Sequence, residues 1–388
     1  MKVLHVTGGI SQHYGGSKVL LGMCRELRKV GVDAQIASTN ADTRGVLDVP
    51  LGVPVESGGV PVHYFAAPFL RQWGFSPQLS GWLAKNISGY DVVHVHGLFN
   101  YATVTASGQA RQLCVPYVIR PMGELSPWCL RQSAWKKKAY LWWLGDGYLE
   151  HAAAIQCTAE EEKRNLGQLG LRLRCAVIPL ALDEGDFATA PRGAFRAKHT
   201  GIDDRRIILF LSRIDPVKGL ELLLEALSEL VRRRSDFLLV IAGQGEPEYE
   251  ARTRHEVARR GLGQHVVFTG FVSGAAKAEL LADADVFVLP SHHENFGLAV
   301  AEAMAAGLPV VISNQVNIQL EVAEAEAGIV IGHAAAEWSA AVEQLLSHPD
   351  ERRRMGENAR RLAGAAFRWP AVTTELMRLY ESITRDRQ

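Results

Sequence analysis

Short apolar runs rich in β-branched residues return along this chain with amphipathic stretches between them, and that alternation limits the folds open to it. In the first half the runs are Val3 to Thr7, Ala34 to Ser38, Val62 to Phe65, Val92 to Val95, Tyr117 to Ile119, Ala154 to Gln156 and Ala176 to Ile178. They restart at Ile207 to Leu211 and continue through Leu238 to Ala242, Val266 to Thr269, Val286 to Leu289, Val310 to Ile312 and Ile329 to Ile331. A strand buried on both faces reads as an unbroken apolar run, and strands that alternate with helices predict parallel sheets covered by helices. The expected fold class is α/β, with two Rossmann-like doubly wound parallel-sheet domains facing a cleft where a ligand would sit. The irregular stretch from Asp183 to Arg205, with Pro191, Gly193 and paired Asp203-Asp204, marks the boundary. Domains of 1–185 and 186–369 are expected.

The 388 residues suffice for two domains that each bury a core. Lys plus Arg equals Asp plus Glu at 42 each, so no global field draws the chain to nucleic acid. The five cysteines are scattered, odd in number and without metal-ligand spacing, as expected of reduced thiols in a cytosolic protein. The chain enters a strand at Lys2-Val3-Leu4-His5-Val6 without a signal-peptide pattern, and no apolar run reaches spanning length. The expected location is the cytoplasm, or the inner face of a membrane.

The run Pro290-Ser291-His292-His293-Glu294-Asn295-Phe296-Gly297-Leu298-Ala299-Val300-Ala301-Glu302 follows one of the apolar strands. Leu298 to Ala306 has helical composition and is closed by Gly307 and Pro309. Asn295-Phe296-Gly297 should therefore lie where a strand turns into a helix at the carboxyl edge of a sheet, and ligands of open α/β sheets bind at that edge. Free N–H groups at the helix start attract anions. Glu294 is expected in the loop and Glu302 about two turns into the helix, roughly 10 Å apart at the usual rise. That spacing suits two parts of one elongated ligand, and carboxylates accept hydrogen bonds from vicinal hydroxyls such as those of sugar and ribose.

A second strand, loop and helix start reads Leu211-Ser212-Arg213-Ile214-Asp215-Pro216-Val217-Lys218-Gly219. Arg213 and Lys218 beside a helix N-terminus can hold a pyrophosphate, or they can pair with Asp215 and Glu221 as ordinary helix-start charges. Gly15-Gly16-Ser17 precedes the helix carrying Val19 to Leu27, and small residues there let backbone approach phosphate. The loop is too long for Gly-x-Gly-x-x-Gly, and no acid ends the second strand, which speaks against a dinucleotide. Gly243-Gln244-Gly245 after a strand reads as a tight turn.

These elements, in this order, resemble the group 4 glycosyltransferases, a retaining family with the two-Rossmann GT-B fold. The family's Glu-x7-Glu is similar to Glu294 to Glu302, its Arg-x4-Lys-Gly to Arg213 to Gly219, and its glycine turn to Gly15-Gly16. Phe268-Thr269-Gly270-Phe271, Asp283-Ala284-Asp285-Val286 and Phe367-Arg368-Trp369 match further, and the resemblance covers nearly the whole chain. It implies that 370–388 crosses back onto the first domain. His94-Val95-His96-Gly97-Leu98 and Arg120-Pro121-Met122-Gly123-Glu124 resemble enzymes that build surface polysaccharides.

The resemblance implies a nucleotide-sugar donor, a carbohydrate or lipid-linked acceptor and same-face substitution, with a donor phosphate oxygen taking the acceptor proton. Glu294, Arg213 and Lys218 are the expected catalytic residues. Gly15, Gly16, His96, Arg120, Gly245, Phe271, Asn295, Phe296, Gly297, Leu298 and Glu302 are expected to bind donor, with base recognition by backbone near Phe271 and Gly245. Many relatives carry His where Met122 stands, and a thioether cannot donate a hydrogen bond. A sugar-nucleotide epimerase and a non-catalytic sugar-nucleotide binder are the alternatives.

No metal or other cofactor is expected. Asp283-Ala284-Asp285 sits at a helix end and a strand start, where capping explains it, and His292-His293 are adjacent with no His-x3-His pair. Residues 133–143 combine lysines with tryptophans and read either as a helix lying on anionic lipid or as an ordinary helix with buried tryptophans.

Overall fold

The structure, a computed structural model, describes residues 1–10, 15–42, 45–131, 148–183, 185, 190–199, 202 and 204–385. The run 133–143 lies outside the described residues. The chain forms two compact units, Met1–Ala181 with Trp369–Gln388, and Leu182–Arg368.

The first unit is built on β1 (Lys2–Thr7), β2 (Asp33–Thr39), β5 (Pro54–Ser57), β6 (Val60–Phe65), β7 (Val92–His96), β8 (Tyr117–Arg120), β9 (Ala154–Cys157) and β10 (Cys175–Val177). Their order across the sheet is β10-β9-β8-β7-β1-β2-β6-β5. Every neighbouring pair is parallel except β5 with β6. Strand order reverses at β1, between β2 and β7, which is the switch point where doubly wound sheets take ligands. Two short pieces, β3 (Ala41–Asp42) and β4 (Gly45–Val46), form a separate antiparallel pair.

Alternation along each strand divides the side chains between two faces. Leu4, Val6, Val93, Val95 and Ile119 pack with Leu79 and Leu83 of helix Pro77–Asn86 and with Ala102, Ala106 and Ala110 of helix Tyr101–Gln112. The intervening residues His5, His94, His96 and Arg120 share the opposite face and are equally buried. On that face lies the carboxyl-terminal helix Trp369–Arg385, whose Tyr380 hydroxyl stands 2.7 Å from His94 Nδ1. Trp369 packs so tightly on helix Gly15–Lys29 that a Cβ at Gly22 would lie 2.4 Å from the indole.

The second unit is a six-stranded parallel sheet of β11 (Arg206–Leu211), β12 (Phe237–Ala242), β13 (Val266–Gly270), β14 (Val286–Leu289), β15 (Val310–Ser313) and β16 (Gly328–Ile331), in the order β13-β12-β11-β14-β15-β16. All ladders are parallel. Here the switch point falls between β11 and β14. Helix Leu220–Leu230 buries Leu220, Leu223, Leu224, Leu227 and Leu230, the i, i+3, i+4, i+7 stripe of a core-facing helix. Each such leucine contributes roughly 1.5–3 kcal/mol on burial. Among the described residues no helix is long and apolar enough to cross a membrane.

Candidate functional site

At the switch point of the second unit, two loops leave the carboxyl ends of β11 and β14 side by side. The loop from β11 carries Asp215, whose carboxylate accepts the Val217 N–H at 3.0 Å and starts the short helical turn Pro216–Lys218. Gly219 then turns the chain with φ +71° into helix Leu220–Leu230. A Cβ there would lie 2.1 Å from the Pro290 carbonyl oxygen, so only glycine lets this loop press against the end of β14. The loops are tied again where His292 N–H donates to the Val217 carbonyl at 2.7 Å.

This approach places Lys218 against Glu294. Lys218 is 10% exposed, and its Nζ donates directly to Glu294 Oε2. Asp215 and Glu221 are therefore not its partners. Glu294 is fixed through its backbone as well, since its N–H donates to Gln315 O and its carbonyl accepts from Asn317 N–H, both at 3.0 Å. Arg213 lies beyond the end of β11 and is 72% exposed, with Nη1 3.4 Å from Asp215 Oδ2. Its fork faces water, where an exposed pair of this length contributes little to stability.

Asn295-Phe296-Gly297 stays outside the helix, which begins at Leu298 with Gly297 as its cap at φ +86°. Glu302 is consequently only a little over one turn into helix Leu298–Ala306, one turn less than the sequence suggested. Because the capping residue is glycine, it offers no side-chain acceptor to the first N–H groups, which lack intrahelical acceptors. Phe296 is buried and meets Phe367 edge-on at 5.2 Å between centroids, so it anchors the loop from below. Glu302 pairs with a lysine of its own. Lys277 Nζ, from helix Gly274–Asp283, stands 2.9 Å from Glu302 Oε1.

Gly245 is more than a tight turn. The loops after β11 and β12 run parallel beyond their strands, with Ile214 bridged to Gly245 and Ile214 N–H donating to Gln244 O at 3.0 Å. A Cβ on Gly245 would lie 1.9 Å from the Ile214 carbonyl oxygen, while its own N–H donates to Glu250 Oε1 at 2.6 Å. Phe271 follows β13 and is 70% exposed.

Asp283 and Asp285 are engaged structurally. Asp283 accepts the Gly193 and Arg196 backbone N–H groups at the start of helix Ala194–Lys198. Asp285 accepts the Ile207 N–H at 3.0 Å and stands 3.1 Å from Arg206 and 3.2 Å from Arg192. His292 stacks on His333 at 4.7 Å between ring centroids. His292 and His293 are both held below the usual imidazole range, chiefly by burial.

In the first unit, Gly15 and Gly16 form the opening turn of helix Gly15–Lys29 rather than a loop before it. First-turn N–H groups have no intrahelical partner, so glycines there still leave donors at the carboxyl edge. His96 and Arg120 end β7 and β8 in register, and each is 2% exposed. His96 Nε2 lies 3.0 Å from His5 Nδ1, and a nitrogen from each of His5, His94 and His96 falls within 4.8 Å of the others. Such a trio has the donor chemistry for a transition metal. The guanidinium of Arg120 beside it opposes a dication, and the contacts to His96 and Tyr380 already engage the rings. Burial, with Arg120 adding to it, lowers His5 to about 3 and holds His94 and His96 well below their ordinary range. The trio is a neutral polar seam at pH 7.

Two carboxylates that sequence reasoning passed over hold the neighbouring loops. Glu124 Oε2 accepts the Leu98 and Phe99 N–H groups at 2.5 and 3.3 Å. Buried Glu162 accepts Gly123 N–H at 2.9 Å, Thr158 N–H at 2.6 Å and the Thr158 hydroxyl at 2.9 Å. They secure a turn in which Met122 takes the left-handed conformation at φ +57°. The run Glu160-Glu161-Glu162 marks a helix start, but nothing in it singles out the acid that turns inward.

The family Glycosyl transferases group 1 matches residues 192–362, and the Glycosyl transferase 4-like domain matches residues 14–181. An alpha-D-kanosaminyltransferase of Streptomyces kanamyceticus is 34% identical over 60% of this chain and 61% of its own length. A D-inositol 3-phosphate glycosyltransferase of Thermobispora bispora is 24% identical over 94% of this chain and 89% of its own. The chain spans about half to three fifths of the length of the first relatives it matches. Among solved structures, Anabaena HepE in complex with UDP aligns with a TM-score of 0.79 at 21% identity, covering 98% of this chain and all of that one. That likeness shows the fold. Two parallel-sheet units, the glycine-capped helix start and both family matches lead to one statement: the chain belongs to the group 4 glycosyltransferases and has the GT-B fold.

Proposed function

We propose that this protein is a retaining transferase that moves a hexose from a nucleoside-diphosphate sugar to an acceptor hydroxyl, in the synthesis of a polysaccharide or glycoconjugate. The observation that carries the reading is the second unit's carboxyl edge. There Glu294 and Glu302 each stand against a lysine, beside Arg213 and a helix start capped by glycine.

Breaking the anomeric bond builds positive charge on the sugar ring and negative charge on the departing pyrophosphate. Lys218, Arg213 and the N–H groups at the start of helix Leu298–Ala306 meet the leaving charge, electrostatic work that needs no metal. Lys218 reaches the phosphate by exchanging part of its contact with Glu294, whose carboxylate then accepts from sugar hydroxyls. Glu302 accepts from the ribose diol. Backbone groups near Gly245 and Phe271 bind the base. On the family resemblance, Gly15, Gly16, His96 and Arg120 also take part in donor binding. The acceptor proton leaves on a donor phosphate oxygen, so no enzymic base is required. All five cysteines are free thiols, which suits a reducing cytoplasm.

The relative HepE was solved with UDP and with UDP-glucose, which makes UDP-glucose the first donor to try. The test is a thermal-shift screen of nucleoside diphosphates and their sugars, since a ligand of the native state raises its stability. It is followed by NMR of the product made with a panel of sugar acceptors. An axial donor bond conserved as an axial product bond is expected. An inverted product removes the retaining mechanism, and sugar isomerisation without acceptor makes the chain an epimerase.

A further inference from the structure

Helix Gly274–Asp283 begins directly after the Phe271 loop, so its first turn belongs to the carboxyl edge of the second unit's sheet. Lys277 lies in that first turn and reaches across to helix Leu298–Ala306, bringing Nζ to 2.9 Å from Glu302 Oε1. The side chains are only 16% and 17% exposed. Screening is therefore weaker than at an open surface, and the pair is better ordered than two long side chains in water. Glu279, an acid on the same helix, is engaged by Lys198 at 2.6 Å, so Lys277 is not merely one member of a mixed surface stripe. The arrangement repeats the one at the other end of the motif, where Lys218 holds Glu294.

We propose that Lys277 is a positioning residue for ribose recognition, acting through Glu302. This rests on the reading of Glu302 as the ribose ligand. A carboxylate has four lone-pair directions, so a lysine on Oε1 can fix its plane without using up its capacity to accept from a vicinal diol. The ammonium also offsets the charge of Glu302. Without it, a carboxylate in a partly desolvated site would repel the anionic diphosphate carried by the same ligand. One side chain thus sets both the orientation and the electrostatic acceptability of another.

The test is a double-mutant cycle read by calorimetric titration of UDP into the full chain, with donor kinetics beside it. Lys277→Met is expected to weaken UDP binding about tenfold, a typical coupling for a charge pair, and to raise donor KM while kcat holds. In a Glu302→Gln background the same substitution should add less than about twofold, because the carboxylate it serves is gone. Lys277→Arg should recover most of the affinity, which a packing role would not produce given the different shape of the two side chains. Equal losses in both backgrounds, or no loss at all, overturn the inference while leaving donor binding by the wild type intact. Failure of the wild type to bind UDP or any other nucleoside diphosphate overturns the donor reading and this inference together. Should Lys277→Met not fold, Lys277→Gln enters the same cycle and is judged by the same criteria.

Discussion

Lys218 donates to Glu294 across two loops that leave adjacent strands, so the cation and the carboxylate expected to serve neighbouring groups of one donor hold each other. The pair sits at a site mostly shielded from water, with side chains 10% and 21% exposed. On the proposed reading a donor would exchange part of this internal contact for contacts of its own, at a spacing the two loops already fix.

Lys218→Ala and Arg213→Ala should both weaken nucleoside diphosphate binding more than nucleoside binding, by about 1.5–3 kcal/mol for a lost charge-assisted contact. They should differ in stability. Arg213 is exposed and its removal should leave the urea midpoint unchanged, whereas Lys218→Ala strands Glu294 and should lower it. Titration calorimetry and urea unfolding on the same preparations check both. Equal effects on nucleoside and diphosphate would remove these residues from the phosphate site.

Glu294→Gln and Glu302→Gln should fail in different ways. The sugar facing Glu294 changes charge in the transition state, so Glu294→Gln should lower kcat by roughly 10- to 100-fold. Ribose does not react, so Glu302→Gln should raise donor KM by about tenfold with kcat nearly unchanged. Steady-state kinetics with donor varied at saturating acceptor decide it, and a reversed pattern exchanges the two assignments.

Turnover should survive EDTA. The leaving charge is assigned to side chains and a helix start, and Asp283 and Asp285 are already engaged by backbone N–H groups and arginines. Loss of activity that magnesium or manganese restores would overturn this.

Stability should fall on mild acidification. The folded-state values of His5, His94 and His96 are depressed, His5 to about 3, so below the unfolded value near 6.5 the unfolded chain binds more protons. The stability held by keeping these rings neutral is complete above that pH and drains away as pH drops toward the folded values. Each ring contributes a slope of up to about 1.4 kcal/mol per pH unit. Urea midpoints measured from pH 7.5 to 4.5 should decline, and His94→Gln should flatten the decline. An unchanged slope in that variant counts against the polar seam as its source.

Gly219→Ala should destabilise the second unit by at least about 1–3 kcal/mol, the usual penalty for a strained backbone, because its Cβ would also strike the Pro290 carbonyl. It should weaken diphosphate binding too, since Lys218 is the residue before it. Unfolding midpoints and titration with UDP measure both.

The strands of both sheets were legible because strands buried on two faces are apolar throughout, and β11, β12 and β14 carry little else. The antiparallel strand β5 was missed although Gly58-Gly59, both at positive φ, is the turn a two-residue hairpin requires. Its alternation of exposed and half-buried residues is what an edge strand shows, and it lacks a continuous apolar run. At the candidate site, Arg213, Lys218, Glu294 and Glu302 could be found because loops between a strand end and a helix start carry recognisable residue types. Lys277 could not, since a lysine in the first turn of a helix is ordinary and its partner is 25 residues away across a strand. The helix starts at Leu298, where its composition predicts it, so Glu302 is only its fifth residue, a little over one turn in rather than two.

The bond between His94 and Tyr380 joins residues 286 positions apart, and the entire second unit is encoded between the body of the first unit and the helix that completes it. During synthesis at about 5–20 residues per second, the first unit must wait on the order of 15–60 seconds after His94 is made before Tyr380 exists to cover it. When the last residue of Leu182–Arg368 has been made, the face carrying His5, His94, His96 and Arg120 still lacks its final cover. The order of birth along the chain is therefore not the order of completion: the unit that starts first finishes last.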